Sequence, residues 1–481
     1  MLFTSPEFLV FFAIVAPLYW ALGRSARPVA AQNALLLVAS LVFYGWVHPW
    51  FVTLLVASTV LDYSCARGIE ACARGPTARP RGKHLLLALS LTGNLGLLGF
   101  YKYWGFFAEN VQFAAARLGI ELSLPLLDLM LPVGISFYTF QTMSYTIDVW
   151  RGQMVARRNL LDFALFVSFF PQLVAGPIER ASHLLTQIEQ PRTLGWERFR
   201  AAWPLLLVGF WKKLLFADSI APIVDRIFAL DEPSLPLLAA GSVLFSLQIF
   251  ADFSGYSDMA RGIAKLLGFE LMVNFDAPFL ARTLPEFWRR WHISLSGWIR
   301  DYVFIPFGGS RAGGRWRLLL VLLATMGLSG LWHGAAWTFV AWGLGHGLAV
   351  WLSRQCGLDS KWRPPTRWHG LASWAVTFAT VTLLFSFFRA DSLSWLGHAV
   401  RAGCAPGDAT LRRLELELAG KSLLEAAAFA SPWTLHFLLE RAGPRAARFL
   451  ALWRWLFAGI LLGLLVQLTK DDGRAFIYFQ F

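Results

Sequence analysis

Two histidines in apolar surroundings are the residues of this chain best suited to chemistry. His333 sits in Trp332-His333-Gly334, inside the apolar stretch 318–349. An ionisable side chain in a membrane-spanning segment is costly, and is a candidate for function by default. Imidazole exchanges a proton near neutral pH without a large shift in pKa. Gly327, Ser329, Gly330, Gly334, Ala335 and Ala336 surround it. Such small residues let a helix or a ligand approach the backbone closely. His292 lies upstream, in the aromatic and basic run 286–302. Read as one helix, that run puts Trp288, His292 and Ser296 on a common face at i, i+4 spacing. An interfacial helix accounts for its tryptophans and arginines. It does not account for a histidine sharing the face of Trp288.

The chemistry open to these residues is narrow. Cys65, Cys72, Cys356 and Cys404 are scattered and fit no zinc spacing. No His-Glu-x-x-His, phosphate-binding P-loop or nucleophile elbow is present. General base catalysis remains. His333 could take the proton of an acceptor hydroxyl or thiol as it attacks an activated acyl group. No protein nucleophile is then required, and a thioester is reactive enough for positioning and proton removal to matter most. The stretch 248–258, with Asp252 and Asp258, is polar for its surroundings. Its carboxylates either bond between helices or orient one of the histidines.

The elements that must hold these residues are membrane helices. Of 481 residues, 56% are hydrophobic, and that hydrophobicity is spread along the chain. The fold class is therefore an all-α polytopic membrane protein, with roughly 10–13 transmembrane or re-entrant helices. The spans expected are 5–22, 29–47, 84–101, 158–175, 202–222, 235–252, 316–334, 336–353, 371–388 and 447–468. Weaker segments are 50–65, 125–147, 256–275 and 422–440. The formal charge of +13 is read as cytoplasmic loops facing anionic lipid, not as nucleic-acid binding. Arg24, Arg27 and the basic loop Arg67–Lys83 set the orientation, with the N-terminus outside. The N-terminus has no positive region ahead of its apolar run, so the first segment is read as a retained span. Segment 281–315, with six arginines, reads as a re-entrant piece dipping into the protein from the cytoplasmic side. The loop 391–421 reads as a short extramembrane excursion, and residues 1–481 as a single membrane domain.

With these residues in view, the chain resembles the membrane-bound O-acyltransferase (MBOAT) family, in its bacterial alginate O-acetyltransferase branch. The likeness rests on Glu286-Phe287-Trp288-Arg289-Arg290-Trp291-His292, Arg300-Asp301-Tyr302 and Gly330-Leu331-Trp332-His333-Gly334. Supporting stretches include 131–137, 170–178, Asp252-Phe253-Ser254-Gly255-Tyr256-Ser257-Asp258, and the aromatic end 476–481. The resemblance implies helices around a central tunnel, with His333 near its middle and His292 its partner nearer the cytoplasm. It implies an acyl donor entering from the cytoplasm, here acetyl-CoA, and no permanently bound cofactor or metal. It implies a bacterial inner-membrane protein that hands acetyl to a periplasmic SGNH-type acetyltransferase partner. That partner would then esterify an exopolysaccharide such as alginate.

Arg289, Arg290, Arg300 and Arg315, with Trp288, lie where a cytoplasmic donor's phosphates would arrive. Arginine can hold phosphate bidentately, although positive-inside anchoring explains arginines there as well. A rival reading is a transporter or flippase in which histidines relay protons. Inverted repeats with matching broken helices would favour it, and none is found. His346 would face about 140° away from His333 on a continuous helix, and so elsewhere. His48, His84, His183, His369, His398 and His436 read as interfacial or solvated.

Overall fold

The computed structural model describes residues 1–74, 80–125, 127, 129–193, 195–311, 313–359, 361–404, 409–468 and 476–477. Among these, every regular element is helical. The chain divides into two compact units, residues 1–202 with 263–272, and residues 203–262 with 273–481.

The first unit holds α1 (Pro6–Leu22), α2 (Pro28–Gly45), α3 (Phe51–Arg74), α4 (Pro80–Leu98), α5 (Trp104–Arg117), α6 (Ile135–Trp150), α7 (Leu160–Ser168), α8 (Phe170–Leu173) and α9 (Ala181–Ile188). Ser5 caps α1 by accepting from the Phe8 N–H, with Pro6 at the first helical position. Asn159 caps α7 in the same way. Phe170 packs on Phe11 and Phe43 at 5.4 and 5.5 Å between ring centres, closing α1 and α2 on α8. Deeper in, Asp62 of α3 is fully buried. It accepts hydrogen bonds from Ser90 and Asn94 of α4, the latter at 2.7 Å, and from Thr146 of α6 at 2.9 Å. Asn94 in turn accepts from Ser58 at 2.6 Å. A buried carboxylate with this many donors joins three helices and leaves no orphaned group around it.

The second unit takes in most of α10 (Trp196–Phe210), then α11 (Asp218–Phe228) and most of α12 (Leu235–Leu266). It continues with α13 (Leu284–Arg290), α14 (Ile293–Ile299), α15 (Arg315–His333), α16 (Trp337–Gln355), α17 (Arg367–Arg389), α18 (Leu393–Cys404), α19 (Ala409–Arg441) and α20 (Ala447–Leu468). A π-helical stretch, Trp211–Ala217, joins α10 to α11. It directs two lysines inward. Lys213 Nζ meets Asp218 at 2.9 Å and Asp252 at 2.7 Å, and Lys212 Nζ meets Asp258 at 2.7 Å. Asp252 also accepts from the Ile477 N–H at 2.8 Å, and Phe476 packs edge-on against Tyr256 at 4.6 Å. Residues 476–477 are thus fastened to α12.

Helices α15 and α16 form a hairpin with almost no side chain between them. A Cβ on Gly330 would lie 2.1 Å from the Phe339 carbonyl oxygen, and one on Gly343 would lie 2.1 Å from that of Met326. Only glycine permits backbones that close.

Among the described residues, six helical stretches are long and apolar enough to cross a membrane: 28–45, 51–73, 81–117, 235–266, 315–333 and 367–389. Helices α1 and part of α20 are apolar but shorter. The span expected at 158–175 is instead α7 and α8, of nine and four residues. Neither approaches the roughly 20 residues a crossing needs. The break falls at Phe169, with φ −51° and ψ 106°, and Pro171 sits in the first turn of α8, where its missing N–H costs no helical bond. Segment 256–275 is not separate, because α12 runs unbroken for 32 residues. The basic loop begins later than expected, because α3 continues through Arg74. Residues 75–79 of it lie outside the described residues. The excursion expected at 391–421 is helical where described, as α18 and the start of α19.

Candidate active site

Residues 286–302 do not form one helix. Thr283 caps α13 by accepting from the Glu286 N–H, and the helix ends at Arg290. Trp291 is extended, and His292 takes left-handed backbone angles of φ 42° and ψ 56° before α14 begins. The common face expected for Trp288, His292 and Ser296 is therefore broken at its middle residue. A non-glycine residue in this region is strained unless its surroundings hold it there.

Asn274 supplies that hold. Its Oδ1 accepts from the Ser294 N–H at 3.1 Å and from Ser294 Oγ at 2.9 Å. Its backbone carbonyl accepts from the Ile293 N–H at 2.9 Å. His292 Nδ1 lies 3.2 Å from the same Oδ1. A backbone N–H can only donate, so Oδ1 is the acceptor and His292 Nδ1 carries the proton. The lone pair of the neutral ring is then on Nε2. Asn274 Nδ2 donates to Ser257 Oγ at 3.3 Å. The polar stretch 248–258 does orient a histidine, but through Ser257 and Asn274. Its carboxylates face Lys212 and Lys213 instead. Asn274 carried no motif signal of its own.

The two histidines meet through an aromatic cluster. His292 packs edge-on to Phe253 at 4.6 Å and lies 6.0 Å from Trp332. Trp332 lies 4.9 Å from His333, and His333 packs against Trp342 at 5.1 Å and Phe388 at 5.2 Å. Both histidines are buried, at 1% and 4% exposure. His333 is the last residue of α15, where the chain leaves the helix at Gly334.

His346 belongs to the same cluster. It lies 4.9 Å from Trp342 and 5.0 Å from Trp288, and is fully buried. Neither ring nitrogen has a hydrogen-bond partner among the described residues. The expectation that it faces away assumed a continuous helix. The break at 334–336 turns α16 back along α15 and brings His346 in. His436 also departs from expectation. It is 2% exposed, stacks on Phe457 and pairs with Glu440 at 3.3 Å.

Of the five residues proposed for donor binding, Trp288 joins the histidine cluster. Arg290 is closed on Glu286 at 2.6 Å, and Arg300 on Asp301 at 2.7 Å. Arg289 and Arg315 are exposed, with Arg315 over the Trp316 ring at 5.3 Å. No contact among the described residues draws the four arginines together. Nor do the described residues contain a group of three His, Cys, Asp or Glu side chains able to hold a metal.

The chain is similar to several known proteins. The model of the membrane-bound O-acyltransferase family matches residues 153–369. The protein named probable alginate O-acetylase in Pseudomonas putida is 39% identical over 415 residues, covering 86% of this chain and 82% of that one. The peptidoglycan O-acetyltransferase of Helicobacter pylori is 34% identical over 430 residues, covering 82% of this chain and 78% of its own length. The teichoic acid D-alanyltransferase of Bacillus subtilis is 28% identical over 273 residues, covering 53% of this chain and 68% of its own. The match to the first of these spans most of both chains and takes in both histidines' segments, and on that ground this multi-pass membrane protein belongs to the membrane-bound O-acyltransferase family.

Proposed function

We propose that the chain takes acetyl from a cytoplasmic thioester donor, acetyl-CoA, and passes it across the bacterial inner membrane for O-acetylation of an exported polysaccharide such as alginate. The observation that carries this reading is the placement of His292 and His333, both buried, on either side of Trp332. The names of the relatives, two of them for O-acetylation of a polymer, support the acyl group and the acceptor class.

In the proposed reaction, His333 takes the proton of the acceptor hydroxyl. The freed oxygen bonds to the thioester carbonyl carbon, the C–S bond breaks, and the thiolate takes a proton from the imidazolium. His333 returns to its neutral form. His292, with Nδ1–H held on Asn274 Oδ1, presents Nε2 as a second proton acceptor on the donor side. The immediate acceptor is a hydroxyl of a periplasmic SGNH-type partner, which then esterifies the polymer. Trp288 flanks the donor. Arg289, Arg290, Arg300 and Arg315 are the candidates for its phosphates, with Arg290 and Arg300 also engaged by carboxylates.

Sidedness is the test. Membrane vesicles containing the full-length chain and its partner are given radiolabelled acetyl-CoA. Inside-out vesicles should place alkali-labile label on the partner or polymer, and sealed right-side-out vesicles should not. Equal labelling from both faces, or none from either, overturns the proposal.

A further inference from the structure

His346 is a buried titratable group that the reaction above does not use. It stands in the middle of α16, four residues after Trp342 and on the same face of the helix. Gly343 and Gly347 beside them close α16 onto α15. A Cβ there would lie 2.1 Å from the Met326 carbonyl oxygen and 3.0 Å from that of Leu322. Trp342 and His346 pack against α13 instead. Phe287 of α13 stacks on the imidazole at 6.3 Å between ring centres, and Trp288 meets it edge-on at 5.0 Å.

Four buried polar atoms here have no hydrogen-bond partner among the described residues: Nε1 of Trp288, Nε1 of Trp342 and both ring nitrogens of His346. Buried polar atoms in native proteins are nearly always satisfied. An apolar side chain of similar size would fill the same space without stranding two nitrogens, so packing alone does not account for a histidine. An indole N–H only donates, and a neutral imidazole offers one N–H and one lone pair. The set is therefore three donors to one acceptor, walled by uncharged rings. It is complementary to a neutral group rich in carbonyl oxygen, not to a phosphate or a cation.

Position narrows the class. Trp288, His346, Trp342 and His333 follow one another by ring contacts of 5.0, 4.9 and 5.1 Å. His346 thus lies between the arginine-rich segment that carries α13 and the proposed base. We propose that His346, with Trp288 and Trp342, hydrogen-bonds the carbonyl groups of the thioester donor, and is a substrate-binding residue separate from the two histidines that exchange protons. This rests on the reading of a thioester donor given above. The imidazole and indole N–H groups donate to carbonyl oxygens of the bound molecule, and the imidazole lone pair accepts from an amide N–H of its arm. No proton changes hands at His346.

Equilibrium binding to the full-length protein in detergent tests this, with two radiolabelled probes. One is acetyl-CoA, and the other is S-acetylpantetheine, the same thioester without phosphates or nucleotide. His346→Leu should weaken both by the same factor, about tenfold, as expected for the loss of one or two hydrogen bonds. Its melting temperature should be no lower than wild type, because two partnerless polar atoms are gone. His346→Gln keeps a donor and an acceptor and should recover most of the affinity. Wild-type affinity in His346→Leu, a loss confined to acetyl-CoA, or a glutamine variant no better than the leucine one overturns the proposal. So does failure of both probes to bind the wild-type protein. The vesicle assay reads transfer and its direction separately. Weakened binding in His346→Leu beside vesicles that transfer no acetyl leaves this site standing and removes the transfer reading. Unchanged binding in His346→Leu beside the expected sidedness does the reverse.

Discussion

The two units bury ionisable groups in opposite ways. In the first, Asp62 is surrounded by Ser90, Asn94 and Thr146, all donating to it. In the second, His346 sits among Trp288 and Trp342 with no hydrogen-bond partner for either nitrogen among the described residues. Around His292 and His333 the walls are likewise rings, with Phe253, Trp332, Trp342 and Phe388 in contact. A satisfied buried carboxylate fixes helices. A histidine walled by aromatic rings keeps its proton chemistry available for a ligand that brings its own polar atoms. Burial alone therefore does not distinguish the two settings, whereas the groups that surround each buried side chain do.

The contrast can be broken by mutation. The largest effect is expected at His333. His333→Ala should lower acetyl transfer by about 10²–10⁴-fold, the usual range for a general base, with an unchanged melting temperature in detergent. Normal transfer at matched expression would move His333 to the structural class. Asp62→Ala should do the reverse. It strands three buried donors and should cost about 3 kcal/mol or more, read as a lower melting temperature, while transfer per folded molecule stays near wild type. A loss of turnover in protein that remains folded would join Asp62 to the chemistry.

Asn274 lies between these extremes, because it holds both the kinked backbone and the His292 ring. Asn274→Ala should reduce turnover about tenfold, with little change in the apparent KM for acetyl-CoA, as expected for a group that orients a catalytic one. Asn274→Asp keeps an acceptor at Oδ1 and should recover most of the rate. A fall in stability with turnover unchanged would make Asn274 a packing residue only.

How far the sequence reached follows the same division. His292 and His333 stood out because a charge in an apolar run is conspicuous along the chain. The hairpin α15–α16 was legible because two apolar runs flank the small residues 334–336. His346 was misjudged because the helical wheel was carried across that break. The kink at His292 left no trace in the sequence, since histidine does not ordinarily mark a left-handed turn and the residue that holds it, Asn274, is distant. The pairing of Asp252 and Asp258 with lysines depended on a π-helical stretch that no periodicity announces. The four arginines were grouped by proximity in sequence, and the structure leaves two of them with carboxylates of their own.

The smallest expected effect lies in the first unit, at a histidine outside the membrane helices. His183 Nδ1 is 2.6 Å from the buried Glu179, which also accepts from the Met272 N–H at 2.6 Å. The hydrogen bond to Glu179 raises the pKa of His183 above its ordinary value near 6.5, against a smaller opposing effect of burial. The folded state thus binds this proton more tightly than the unfolded state. The stabilisation is complete below the unfolded pKa and fades as pH rises through the raised one. The melting temperature should fall slightly over that rise, and His183→Gln should flatten the slope. An identical slope in the variant would show that the pair contributes nothing to stability.

The fastening of residues 476–477 to α12 has a consequence for biosynthesis. Ile477 reaches Asp252 across 225 residues of sequence. When α12 leaves the ribosome, Asp252 and Lys213 can pair at once, but the third member of that contact has yet to be made. The second unit therefore cannot reach its final packing during synthesis of the helices that carry His292 and His333. It is completed only once residues 476–477 have been made, when Phe476 closes over Tyr256. Synthesis of that late segment then sets the packing on this side of α12.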